Sequence, residues 1–252
     1  MAALAATCGS LAAVHFGAAL AGGQASGPTS AGGGAAPASH RELARGRALF
    51  VEGCSSCHGL DARGVATQGP SLRGVGAAAA DFYLRTGRMP LSAPGKQPLR
   101  AKPRYDDRQI EALVAYIGGF GGPRIPTVDP ASGSIQRGFQ DFDGSCAGCH
   151  SISAVGGVVT GAYVPPLTES TPTEVGEAIR TGPYVMPRFS AKQLSDGEID
   201  SIARYVQLTQ NPDDSGGWGI GHIGPVPEGL VAWALAAVAL LLVARLIGER
   251  GA

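Results

Sequence analysis

Two segments of the chain carry apolar residues at the spacing of a helix that buries one face. The apolar positions are Ile110, Leu113, Val114 and Ile117 in the first segment, and Ile199, Ile202 and Val206 in the second. Each segment opens with a polar residue followed three positions later by Gln or Glu, which is the capping-box pattern. Those pairs are Asp106 with Gln109 and Ser195 with Glu198. The pattern therefore predicts two matching core helices, over residues 106–117 and 195–208.

A third segment, residues 229–248, is apolar and shows no amphipathic period. No charged residue occurs from Leu230 to Ala244, and a helix of about 20 apolar residues is long enough to cross a bilayer. Trp233 suits a membrane interface, and the positive-inside rule applied to Arg245 and Arg250 places the C-terminus in the cytoplasm. We therefore predict a transmembrane helix; a buried core helix is the alternative, although such helices usually keep one polar face.

The other flanking segments differ in composition. Residues 1–22 are rich in Ala and contain no Lys, Arg, Asp or Glu, which predicts a signal peptide or an N-terminal hydrophobic segment, although no Lys or Arg precedes Arg41. Residues 23–40 are mostly Gly, Ala, Ser and Pro and are predicted to form a flexible linker. Residues 211–228 form a second Gly/Pro-rich stretch, a collar ahead of the apolar helix. Cys8 is interpreted as an ordinary membrane-buried thiol.

Two copies of one constellation carry the chemistry of the chain. The first is Cys54-Ser-Ser-Cys57-His58 followed by Met89, and the second is Cys146-Ala-Gly-Cys149-His150 followed by Met186. C-x-x-C-H is the attachment signature of c-type haem, in which both thiols bind the porphyrin and the histidine binds the iron. A downstream methionine is the usual second axial ligand in an electron-carrying cytochrome. We therefore predict two covalently bound haem c groups, with the following iron ligands: His58, Met89, His150 and Met186.

A zinc site and a redox-active dithiol are the alternative uses of C-x-x-C. Zinc requires four nitrogen or sulfur ligands in one site, whereas the two pairs lie 92 residues apart, each with its own histidine and methionine. A thioredoxin-like dithiol belongs to a βαβ unit, and no such pattern surrounds either motif. Haem attachment is therefore the favoured interpretation.

The duplication extends beyond the cysteines and defines two domains, over residues 41–125 and 126–210. Gly46 and Gly138 each stand eight residues before the first cysteine of their motif, where a glycine suits a close helix crossing. A Pro-Leu loop follows each motif, and a carbonyl in that loop is expected to accept the second N–H of the histidine. Aromatic residues make up only 6% of the chain, so each domain needs its haem to complete a thin apolar core.

The net charge of the chain is zero but unevenly distributed. Residues 41–125 hold 13 Lys or Arg and 7 Asp or Glu, a net +6, whereas residues 126–215 hold 5 and 11, a net −6. Opposite charges either pack the two domains together or steer each domain towards a different redox partner. The basic residues are not interleaved with aromatic ones, so nucleic acid is not expected as a partner.

Taken in order, these motifs resemble the dihaem cytochrome c subunit of the actinobacterial menaquinol:cytochrome c reductase, the cytochrome bcc complex. The resemblance runs from about Arg41 to the C-terminus. It is carried by both C-x-x-C-H motifs and by these segments: Gly69-Pro70-Ser71-Leu72, Gly74-Val75-Gly76, Thr86-Gly87-Arg88-Met89-Pro90, Met186-Pro187 and Gly224-Pro225-Val226-Pro227-Glu228-Gly229. Two haem motifs followed by a Pro/Gly collar and an anchor are more specific than either motif alone.

The resemblance implies an all-α fold of two tandem class-I-like cytochrome c domains with a C-terminal transmembrane helix. The first domain, with His58 and Met89 on its iron, would accept single electrons from the Rieske iron–sulfur centre. The second, with His150 and Met186, would pass them to the copper A subunit of a cytochrome c oxidase. Cytochrome b and the membrane are the other implied partners, and the haem domains would face outward. The chain would then serve a quinol–cytochrome c reductase without a bond-changing active site of its own.

Two other functions remain open. One is a dihaem subunit of another membrane oxidase or dehydrogenase, such as a cbb-type oxidase, although those subunits tend to carry the anchor ahead of the haem domains. The other is a haem sensor, in which Met89 or Met186 would be a bystander and one iron would stay open to a gas. Carbon monoxide binding to the reduced protein distinguishes the sensor from an electron carrier.

Overall fold

The computed structural model describes residues 38–212 and 225–250, including side chains for 229–249 in the second range. Its helices are α1 (His40–Gly53), α2 (Ser55–His58), α3 (Gly76–Arg85), α4 (Asp107–Gly118), α5 (Ile135–Ser145), α6 (Ala147–His150), α7 (Pro172–Thr181), α8 (Asp196–Gln210) and α9 (Pro225–Arg250). An antiparallel hairpin joins β1 (Gly157–Val159) to β2 (Ala162–Val164). The predictions made for residues 1–22, for Cys8, and for most of the linker 23–40 and the collar 211–228 fall outside the described residues.

Helices α1–α4 form a first module and α5–α8 form a second module with the same arrangement. In each module the first helix crosses the last one, α1 over α4 and α5 over α8. A Cβ added at Gly46 would collide with the backbone carbonyl of Ala112, and one added at Gly138 would collide with that of Ser201. The two predicted glycine crossings are confirmed, since the helix backbones lie too close for any side chain.

The two predicted core helices are also confirmed, together with their caps. The Asp106 carboxylate accepts the Gln109 backbone N–H at 2.8 Å, and the Gln109 side chain accepts the Asp106 N–H at 3.0 Å. Ser195 and Glu198 form the same reciprocal box at the start of α8. Every residue of the two predicted apolar stripes is buried in the core of its module. The stripes are therefore packing surfaces, and they hold the last helix of each module in place.

The hairpin distinguishes the second module from the first and was missed by the all-α prediction. Its strands pair Val159 with Ala162 around a two-residue turn that contains Gly161, whose φ is 83°. A tight turn of this kind requires a positive φ, which glycine adopts without strain. The hairpin lies between His150 and Pro165, a separation of 15 residues against 12 in the first module. Strands of three residues leave too little alternation to be recognised from sequence.

The two modules pack against each other through α3 and α7. Hydrogen bonds across the interface involve backbone groups as well as side chains. The Tyr184 N–H donates to the Tyr83 hydroxyl at 3.1 Å. The Gln97 side chain accepts the Tyr163 N–H at 3.0 Å and donates to the Tyr163 carbonyl. These bonds join α3 and a loop of the first module to β2 and a loop of the second.

Charged groups also meet at this interface. Arg100 of the first module pairs with Glu174 of the second at 2.5 Å, so one pair of opposite charges joins the two modules. Glu177 is fully buried, and no donor in the described residues reaches either of its carboxyl oxygens. The Asp81 carboxylate lies beside it, itself paired with Arg85 at 2.8 Å. Burial, followed by the charge of Asp81, raises the pKa of Glu177 to about 9, so a protonated Glu177 donates to Asp81.

Helix α9 contains the predicted span 229–248. Residues Gly229–Glu249 have a mean hydropathy of 2.5, and none of this stretch is buried against the rest of the described chain. The helix therefore does not pack as a core helix. Its length and composition are those of a membrane-crossing helix.

Replacing Gly138 with Ala is expected to lower the free energy of unfolding by about 1–3 kcal/mol, because a new side chain must be forced between packed backbones. Gly144 lies in the same helix, and nothing stands within 4 Å of a Cβ added there. Gly144→Ala is therefore the matched control and should be neutral or stabilising by up to about 1 kcal/mol. Urea unfolding of the two haem-loaded variants measures the difference; equal midpoints would contradict the close crossing.

A second expectation concerns the dependence of stability on pH. Because the pKa of Glu177 is about 9 in the folded protein and 4.5 without burial, unfolding releases a proton between these values. Stability therefore falls as the pH rises through this window, by up to about 1.4 kcal/mol per pH unit. Glu177→Gln keeps the shape and the hydrogen bond but cannot ionise, so it should flatten the curve and exceed the wild type in stability at pH 8.

Thermal or urea unfolding between pH 5 and 9 checks this expectation. Glu169→Gln, at an exposed carboxylate of the same module that does not act on Glu177, serves as the control. It should keep the stability and the pH slope of the wild type. Parallel curves for the wild type and Glu177→Gln would show that Glu177 does not titrate in this range.

Candidate functional site

Each C-x-x-C-H motif forms one helical turn directly after the first helix of its module. The first cysteine caps that helix at nearly the same φ in both modules, −126° for Cys54 and −125° for Cys146. The His58 N–H donates to the Cys54 carbonyl, and the His150 N–H donates to the Cys146 carbonyl, each at 2.9 Å. Because residues three and four apart share one face of a helix, a single turn presents both thiols and the imidazole together.

Each histidine of these motifs is oriented by a carbonyl of the Pro-Leu loop, as the sequence predicts. Nδ1 of His58 lies 2.7 Å from the carbonyl oxygen of Pro70, and Nδ1 of His150 lies 3.2 Å from that of Pro165. A carbonyl only accepts, so the proton of each neutral ring is on Nδ1. The second nitrogen, Nε2, is then deprotonated and available to a metal.

The loops that carry these carbonyls are held by matching backbone bonds. The Leu72 N–H donates to the Ala62 carbonyl and the Leu167 N–H to the Ala154 carbonyl, both at 2.9 Å. Ala62 and Ala154 are buried and adopt positive φ angles of 59° and 56°. A non-glycine residue rarely takes this conformation, and such residues persist only where the surrounding structure enforces them. Both modules adopt this rare conformation at the same point, which indicates that the fold holds the loop and its proline carbonyl in a fixed position.

The second module contains an apolar cavity that is partly open to solvent. All four predicted haem residues of this module line it: Cys146, Cys149, His150 and Met186. Much of the remaining wall is apolar and includes Val164, Leu167, Ile179, Phe189, Ile202 and Val206. A large apolar cavity with two thiols, an imidazole and a thioether fits a haem that is bound through sulfur and nitrogen.

The first module brings corresponding residues to its core. In each module the first cysteine of the motif and the methionine pack against the same buried cluster, Cys54 with Met89 and Cys146 with Met186. Leu72 and Leu167 of the Pro-Leu loops pack against the same two clusters. Methionine, motif and loop therefore surround one apolar core in each module.

The donor set of the described residues does not suit zinc. No group of three or more His, Cys, Asp or Glu side chains lies close enough there to hold a metal ion. Burial, with a smaller effect of neighbouring charges, raises the pKa of Cys54 and of Cys146 to about 11. Burial also lowers the pKa of His150 despite its bond to Pro165, which keeps the ring neutral and able to bind iron.

Sequence reasoning missed the contribution of the first module to the second cavity. Five residues of the first module line it: Phe82, Arg88, Gln97, Pro98 and Arg100. Arg88 directly precedes Met89. One loop therefore places Met89 against the core of the first module and Arg88 on the wall of the cavity in the second module. The sequence signalled this role only by the positive charge of Arg88 beside the predicted iron ligand Met89.

Comparisons with known proteins agree with this geometry module by module. The family model described as Cytochrome c matches residues 43–119, and the model described as Cytochrome C oxidase, cbb3-type, subunit III matches residues 133–206. The fold and its two sites therefore define a mostly helical protein of two cytochrome c domains, which implies the binding of haem c.

Similarity over most of the chain is more specific. The chain is 35% identical to the cytochrome bc1 complex cytochrome c subunit of Corynebacterium diphtheriae, over 82% of this chain and 81% of that one. It is 38% identical to the subunit of the same name in Mycobacterium tuberculosis, over 82% and 78%. Identity to the cbb3-type cytochrome c oxidase subunit CcoP of an Azospirillum species is 28%, over 65% and 61%. The chain belongs to the family of cytochrome bc1 complex cytochrome c subunits, and its role is electron transfer.

Proposed function

We propose that each module, near residues 41–125 and 126–210, holds one covalently attached haem c. Cys54 and Cys57 form the thioether bonds in the first module, and Cys146 and Cys149 form them in the second. The iron ligands are His58 with Met89, and His150 with Met186. The observation that carries the proposal is the matching bond from each histidine Nδ1 to a proline carbonyl, which leaves both Nε2 atoms available.

When bound, each haem supplies a one-electron couple, and the residues of the chain tune it. The thioethers of Met89 and Met186 are soft neutral ligands that favour ferrous iron and close it to other ligands. The proline carbonyls hold each imidazole in one tautomer and orientation. The apolar walls exclude water from the second cavity. Such a site transfers electrons and makes no chemical bond.

We further propose that the two modules form a relay within the cytochrome bc1 complex. The first module, in the segment of net charge +6, receives electrons from the Rieske iron–sulfur subunit, which neighbours cytochrome b. The second, in the segment of net charge −6, passes them to the copper A subunit of a cytochrome c oxidase. The charge asymmetry supports different partners for the two modules. The bonded interface between α3 and α7 supports direct transfer from one module to the other.

The membrane position follows from the last helix. We propose that α9 crosses the membrane once, with Arg245 and Arg250 on the cytoplasmic side. Both modules then lie on the outer face, where c-type haem is attached. The high mean hydropathy and the exposure of the helix support this placement.

The purified protein is expected to contain two haem c groups per chain in a pyridine haemochrome assay. When reduced it should not bind carbon monoxide, because methionine fills the last position on each iron. Met89→Leu and Met186→Leu should each retain both haems, open one iron to carbon monoxide and lower the potential of that haem. Val158→Leu, at an exposed position of β1 that does not line the cavity, is the control and should behave as the wild type.

Two results of this experiment would contradict the ligand assignment. One is a redox titration in which both methionine variants keep the potentials of the wild type. The other is carbon monoxide binding to the wild type, which would favour a haem sensor.

The order of the relay is tested in the complex purified through a tag on this chain. That complex is expected to contain the Rieske subunit and cytochrome b. On addition of quinol, Met89→Leu should slow the reduction of both haems, because electrons enter through the first module. Met186→Leu should leave reduction of the first haem intact while oxygen consumption with the oxidase is largely lost.

The reverse pattern of the two variants would mean that electrons enter through the second module. Recovery of oxidase subunits without cytochrome b would instead favour a dihaem subunit of a cbb-type oxidase, to which the family match of residues 133–206 also points.

A further inference from the structure

Arg88 of the first module lies on the wall of the cavity in the second module. Only 9% of the residue is exposed. Its Nη1 donates to the Pro98 carbonyl at 2.7 Å, and its guanidinium carbon lies 5.2 Å from the centre of the Phe82 ring. Its Nε is buried and has no hydrogen-bond acceptor among the described residues. A buried cationic donor without an acceptor is costly, so its position requires a partner.

The other charged side chains on this wall already have partners. Arg100 and Glu174 both line the cavity and pair with each other at 2.5 Å. Arg88 is thus the cation on the described wall that lacks a carboxylate partner. An anion bound at Arg88 supplies the acceptor that its buried Nε lacks.

We propose that Arg88 binds a propionate carboxylate of the haem held in the cavity of the second module. The inference rests on the proposed function, because it requires a haem in that cavity. The propionates are the anionic substituents of haem, and a planar guanidinium is the side chain best suited to pair with a carboxylate. The haem of one module would then be held in part by a residue of the other.

This contact gives Arg88 a positioning role in electron transfer. A guanidinium paired with the carboxylate opposes the extra positive charge of ferric iron, so it raises the potential of the second haem. Arg88 adjoins Met89, the proposed ligand in the first module. Two consecutive residues would therefore act on two different haems.

Redox titration of Arg88→Gln tests the proposal. The potential of the second haem should fall by an amount equal to about a tenfold change in its reduction equilibrium, or about 59 mV for a one-electron couple. The potential of the first haem should stay unchanged. The two waves are assigned by the variants Met89→Leu and Met186→Leu.

Two further variants separate charge from packing. Arg88→Lys keeps the charge and should retain most of the potential, whereas a fall equal to that of Arg88→Gln would overturn the charge pairing. Arg73 also lies over an aromatic ring of the first module, 5.3 Å from the centre of Phe120, but does not line the cavity. Arg73→Gln is therefore the matched control and should leave both potentials unchanged.

Haem content separates failure of this inference from failure of the proposed function. Fewer than two haems in the wild type would overturn both. Two haems with no change in Arg88→Gln, or with a change in the first haem alone, would overturn the propionate contact only. A change in the first haem alone would mean that Arg88 acts through the neighbouring Met89.

Discussion

The close crossing of the first and last helix of each module is the constraint that positions the rest. At Gly46 and Gly138 the helix backbones lie against carbonyls of α4 and α8, and no side chain fits between them. Eight residues separate each glycine from the first cysteine of its motif. The crossing therefore determines where the first helix ends and where the C-x-x-C-H turn meets the core. Thiols, imidazole and methionine converge on one apolar cluster because the helices that carry them are fixed at this point.

Most features confined to one module were predictable, because the patterns that encode them are local. The capping boxes of Asp106 and Ser195 and the apolar stripes behind them follow from residues three or four apart. The histidine bonds to Pro70 and Pro165 were predictable because an iron-binding imidazole needs an acceptor for its other nitrogen. The hairpin escaped notice because its strands have three residues each.

Features that depend on the contact between modules were not predictable in the same way. No local pattern in the sequence singles out Glu177 or Asp81, and the packing of α3 on α7 buries them together. Arg88 reads as a part of its own haem motif, yet its side chain lines the other module's cavity. The opposite charges of the two segments were compatible with packing or with different partners, and they did not indicate which faces meet. The cavity of the second module is therefore lined by residues of both modules and cannot be inferred from the sequence of the second module alone.

The apolar helix α9 has a kinetic consequence for a carrier of electrons. A freely diffusing carrier must bind tightly enough to be captured from dilute solution, and tight binding slows its departure. A carrier fixed to the same membrane as its partners meets them at a high effective concentration that the tether sets. Each docking contact is then free to be weak and short-lived without leaving the partner idle. For a tethered carrier, fast dissociation from each partner then matters more than high affinity for it.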